Sequence, residues 1–95
     1  MQRFVASVNI FVESTHLSSV LATLAQLKGV EEVYEVAGEY DIVTIVSAST
    51  LEEFRGILQK QIMKINGIKS TITTIILQPH KGRMCQPEIL QQFTN

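Results

Sequence analysis

Ninety-five residues, 45% of them hydrophobic and 18% charged, provide one domain with a single core and little chain for a second. A formal net charge of −1 with no block of Lys or Arg excludes the basic footprint of a nucleic-acid binder. The lone Cys85 excludes an internal disulfide, and Ser7 and Asn9 break the first apolar run before it can serve as a signal peptide or membrane span.

Phe4 to Val12 alternates, with Phe4, Ala6, Val8, Ile10 and Val12 on one side, so a first strand is predicted. Glu13 to His16 is a polar break holding candidate helix caps. Leu17, Val20, Leu21, Leu24 and Leu27 then recur at helical spacing, and Gly29 ends the helix. Val30 to Ala37 reads as a second strand, Gly38-Glu39 as a tight turn, and Asp41 to Ala48 as a third strand. Ser49 with Glu52, or Thr50 with Glu53, offers a capping box for a second helix. Its predicted buried stripe is Leu51, Phe54, Leu58, Ile62 and Ile65. Gly67 ends it, and Ile68 to Leu77 forms a fourth strand that stops at Pro79.

The order βαββαβ repeats itself: Leu27-Lys28-Gly29-Val30 is answered by Ile65-Asn66-Gly67-Ile68. Two βαβ units with right-handed crossovers interleave into an α+β, ferredoxin-like sandwich, a four-stranded antiparallel sheet with both helices on one face. The other face would carry Val5, Phe11 and one side of the apolar fourth strand, too greasy for a sheet with one wet face. A second copy laid against it is the expected remedy, giving a homodimer.

The segment from Gly29-Val30 to Gly38-Glu39-Tyr40-Asp41 resembles the regulatory (RAM) half of Lrp/AsnC transcription regulators. Ile65-Asn66-Gly67-Ile68 and the run Ser70 to Ile76 share the resemblance, which covers roughly residues 3 to 78. It implies dimers paired through their sheets, assembly of four dimers into a ring, and a small effector, typically an amino acid, held between dimers. It also implies a stand-alone module without the helix-turn-helix half, working through subunit assembly or through association with full-length regulators. The positions it marks are Gly38, Tyr40 and Asp41 in the hairpin, and Thr71, Thr73 and Thr74 in the last strand. Glu39 departs from the aspartate common at that turn, and Thr74 stands where some relatives carry tyrosine.

The chemistry of those residues suits an amino acid. A carboxylate at Asp41 can accept from an ammonium, while main-chain N–H groups beside Gly38 and threonine hydroxyls can donate to a carboxylate. Asp41 can equally hold its own turn, and the threonines are good strand formers in any case. An enzyme of the monooxygenase type on the open sheet would rest on Asn9 and Tyr34, and a ligand-free assembly partner is the third reading. His16, His80 and Cys85 lack metal-ligand spacing, and no phosphate loop or nucleophilic triad is present, so no cofactor, metal or catalytic residue is expected. A cytoplasmic location with no membrane contact is expected. Residues 79–95 form an extension in which Pro87 to Phe93 suggests a short helix.

Overall fold

β1 (Phe4–Val12), α1 (Leu17–Leu24), β2 (Val30–Glu35), β3 (Ile42–Ala48), α2 (Leu51–Gly56) and β4 (Ile68–Ile75) follow one another in the computed structural model, which describes residues 3–82. The extension helix expected at Pro87 to Phe93 lies outside the described residues. The sheet runs β2-β3-β1-β4, and each neighbouring pair is antiparallel. Both halves of the chain therefore interleave as the βαββαβ order requires, giving the ferredoxin-like sandwich.

Alternation decides which side chains meet the helices. Ala6, Val8 and Ile10 of β1 sit level with Val46, Thr44 and Ile42 of β3. These residues are buried, and all but Thr44 belong to one apolar cluster with Val20 and Leu24 of α1 and Phe54, Ile57 and Ile62. Thr44 is fully buried, and its hydroxyl donates to the Val8 carbonyl at 3.0 Å, which removes the penalty of an unpaired interior hydroxyl.

The second helix departs from its expected stripe. Leu51 is 47% exposed, whereas Ile57 is buried in the place expected for it. Beyond Gly56 the helix widens into a π-helical stretch, Ile57–Ile62, and the Met63 N–H reaches the Leu58 carbonyl five residues back at 2.8 Å. The buried positions Phe54, Ile57 and Ile62 are thus spaced three and five apart, a rhythm that a regular 3.6-residue stripe does not produce. At the start of α2, Thr50 Oγ1 accepts the Glu53 N–H at 3.0 Å, and the Glu53 carboxylate reaches back to the Ser49 N–H. Thr50→Ala should cost about 1 kcal/mol in urea unfolding. A stability within about 0.2 kcal/mol of the unmodified chain would mean the cap contributes nothing.

The repeated glycines do the same task in both halves. Gly29 has φ +96° and Gly67 φ +105°, a region open to glycine at little cost. Each then returns its carbonyl to another element, Gly29 to the Ser47 N–H at 2.9 Å and Gly67 to the Glu13 N–H at 2.8 Å. Gly67 also lies against His16, so closely that an added Cβ would fall 2.3 Å from the His16 Cβ.

Candidate functional site

The hairpin joining β2 and β3 is longer than the two-residue turn expected. β2 ends at Glu35, and the Val36 N–H donates to the Asp41 carbonyl at 3.0 Å, leaving residues 37–40 as the loop. Gly38 is exposed, and an added Cβ there would meet nothing within 4 Å. Tyr40 folds back on β1, its ring meeting Phe11 edge-on at 5.2 Å and 61°.

Asp41 ties this loop to the end of β1. The ladder between β1 and β3 finishes at Ile10 and Ile42, and the register between β1 and β4 shifts between Phe11 and Val12. At that irregularity the Asp41 N–H donates to the Ile10 carbonyl at 3.1 Å, and Asp41 Oδ2 accepts the Val12 N–H at 2.8 Å. The carboxylate therefore holds the β1 backbone where the sheet ladder falters. Its second oxygen, Oδ1, accepts no hydrogen bond among the described residues.

The three threonines do not share a surface. Thr71 and Thr73 pair with Ile10 and Val8, so they lie on the helix-facing side of β4. Thr74 pairs with Ser7 and lies on the opposite side. One ligand cannot touch all three within one chain, and the parity of their numbers already carried that information. Gly38, Tyr40 and Asp41 come together in one loop. Thr71 approaches the same end of the sheet, about 10 Å away across two strand spacings. Thr73 lies two pairs further from it.

The face without helices presents Val43 and Ile45 of β3, Ser7 and Asn9 of β1, Ile72 of β4 and Tyr34 of β2. Ile72 is 46% and Tyr34 42% exposed, so this surface mixes apolar and polar groups. Asn9 Oδ1 accepts the Ser7 hydroxyl at 3.1 Å, and the Tyr34 hydroxyl donates to the Glu32 carboxylate. Among the described residues no group of three or more His, Cys, Asp or Glu is placed to hold a metal ion. No helix among them is long and apolar enough to cross a membrane.

The family described as the Lrp/AsnC ligand binding domain matches residues 5–84. This chain belongs to that family. AsnC of E. coli has the same Lrp/AsnC fold, with a TM-score of 0.79 and 29% identity over 88% of this chain and 57% of that one. TTHA0845 from Thermus thermophilus gives 0.77 at 26% identity, covering 83% of this chain and 99% of that one. A feast or famine regulatory protein (Rv3291c) from M. tuberculosis, solved in complex with L-methionine, gives 0.72 at 27% identity over 84% and 54% of the two chains. Homocitrate synthase of Sulfolobus acidocaldarius is 35% identical over 65 residues, which is 68% of this chain and 14% of the enzyme. The Lrp/AsnC domain described here thus spans a small part of the curated relatives it matches, and the likeness does not carry their reaction with it. It is a regulatory ligand-binding domain by family, and its hairpin carries the Asp41 carboxylate.

Proposed function

We propose that this Lrp/AsnC domain senses a small amino acid at the hairpin, in a site completed by a second copy of the chain. One observation carries the reading: Asp41 spends one carboxylate oxygen on the Val12 N–H and leaves the other beside an open glycine loop. An ammonium can take that oxygen without disturbing the latch, and Tyr40 and Thr71 supply hydroxyl groups at the same end of the sheet. The complex of the M. tuberculosis relative with L-methionine supports an amino acid as the ligand class.

Within one chain these groups surround too little of a ligand to bury it. Self-association supplies the missing wall, and the half-apolar open sheet is the surface for the first pairing. Further association of dimers, or of this module with full-length regulators, then lets the ligand act. It must bind one assembly more tightly than another, since equal affinity shifts no equilibrium.

The test is a thermal-shift panel of the twenty amino acids, run beside sedimentation of the unmodified chain and of Ile72→Asp. Ile72 is half exposed in one chain, so the charge should leave the fold intact while disfavouring pairing through the open face. The expected result is a dimer or larger species for the unmodified chain, a smaller species for the variant, and a ligand shift that the variant loses. A monodisperse monomer with no shift across the panel would remove the reading. A second reading follows from the homocitrate synthases: the same sensing surface reports to an enzyme in place of a transcription regulator. Co-sedimentation with a full-length regulator and with such a synthase separates the two.

A further inference from the structure

At the other end of the sheet from the hairpin, roughly 20 Å along β1 and β3, a groove of about 600 Å³ runs between the Gly29 turn and α2. Its cations are Arg3, Lys28 and Lys60. Arg3 donates to two serine hydroxyls, to Ser47 through Nη2 at 3.2 Å and to Ser49 through Nη1 at 3.5 Å. Glu31 and Glu53 also line the groove, and both already accept from internal donors. Glu31 takes the Ser47 hydroxyl at 2.6 Å, and Glu53 takes the Ser49 N–H at 2.5 Å. Neither carboxylate forms an ion pair with Arg3, Lys28 or Lys60 among the described residues. Three cations and two carboxylates thus line one groove, an excess of one positive charge, and among the described residues none of the cations is held in an ion pair.

Gly56 gives a second, independent reason to expect an occupant. It sits inside a helical run with ordinary helical angles (φ −63°, ψ −45°), where alanine would make a stronger helix. No neighbour demands its small size, because an added Cβ would meet nothing within 4 Å. It does line the groove, so the missing methyl keeps that space open.

We infer that this groove binds a small oxyanion, a metabolite bearing carboxylate or phosphate groups. The guanidinium plane of Arg3 suits the paired oxygens of either group, and Lys28 and Lys60 add point charge. The volume lies in the range of small-molecule sites. This site uses none of the hairpin residues, so it stands or falls separately from amino-acid sensing there.

Calorimetric titration of the full chain at low salt, with inorganic phosphate and with succinate in separate runs, tests it. One or both should saturate, and the stronger of the two names the ligand group. Arg3→Met and Lys60→Met should each weaken that binding about tenfold or more. Gly56→Ala should raise Tm by about 3–6 °C while weakening the anion severalfold, a pairing that a purely structural glycine would not give. Glu52→Gln, outside the groove, should leave the affinity unchanged. The inference is overturned if neither anion saturates by about 10 mM, well above the micromolar range of ordinary small-molecule recognition. It is equally overturned if the Arg3 and Lys60 variants bind as the unmodified chain does, or if Gly56→Ala stabilises without loss of affinity.

Discussion

Gly67→Ala is expected to lower the stability of the fold by roughly 3–5 kcal/mol, a large share of what a domain of this size possesses. Two costs combine. The residue sits at φ +105°, where a non-glycine residue carries about 1–3 kcal/mol of strain. The new methyl also lands 2.3 Å from the His16 Cβ and 2.6 Å from its Cγ, so the turn before α1 must move. That turn is held to Gly67 by the 2.8 Å bond from the Glu13 N–H, and moving it disturbs the junction of both βαβ halves. Urea unfolding should show a lower midpoint at unchanged slope. Gly38→Ala is the comparison, since at φ +159° it carries backbone strain but meets open space, and it should cost only that strain, about 1–3 kcal/mol. Combining Gly67→Ala with His16→Gly separates the two costs, because it removes the steric clash and leaves the backbone strain. A Gly67→Ala protein as stable as the Gly38→Ala protein would show that the two chain halves are not locked at this point.

The same glycine pair shows why so much of the fold is legible in the sequence. A helix ending in an apolar residue, a spacer and a glycine is a local signal, and both copies have it. The strands are legible because period-two alternation survives along β1 and β3 with few interruptions. What escapes are features set by neighbours rather than by local pattern. The π-helical widening after Gly56 has no signature in hydrophobic spacing, so a regular stripe puts Leu51 in the interior and passes over Ile57. The hairpin reads as too tight because Asp41, not the turn residues, sets where β2 and β3 part. The division of Thr71 and Thr73 from Thr74 follows from parity, but grouping them by residue type conceals it. The groove cations lie at positions 3, 28 and 60, and only the pairing of Val5 with Ser47 and the Gly29 turn bring them together.

The two roles of Asp41 can be separated by the choice of replacement. Asp41→Ala removes the acceptor for the Val12 N–H, leaving a half-buried donor at the irregular end of β1 without its 2.8 Å partner. That should cost about 1–3 kcal/mol and loosen the hairpin along with any ligand site built on it. Asp41→Asn is nearly the same shape, and its side-chain oxygen can still accept the Val12 N–H, so the loss should stay near about 1 kcal/mol or below. What asparagine cannot supply is the negative charge. If the free carboxylate oxygen receives the ammonium of an amino acid, the ligand should bind Asp41→Asn at least about tenfold more weakly, with fold and oligomer unchanged. Isothermal titration with whichever amino acid stabilises the unmodified chain, together with urea unfolding of both variants, gives the answer. Equal affinity for the asparagine variant and the unmodified chain would leave Asp41 as a latch alone. The recognition of the ligand would then have to come from the partner's surface.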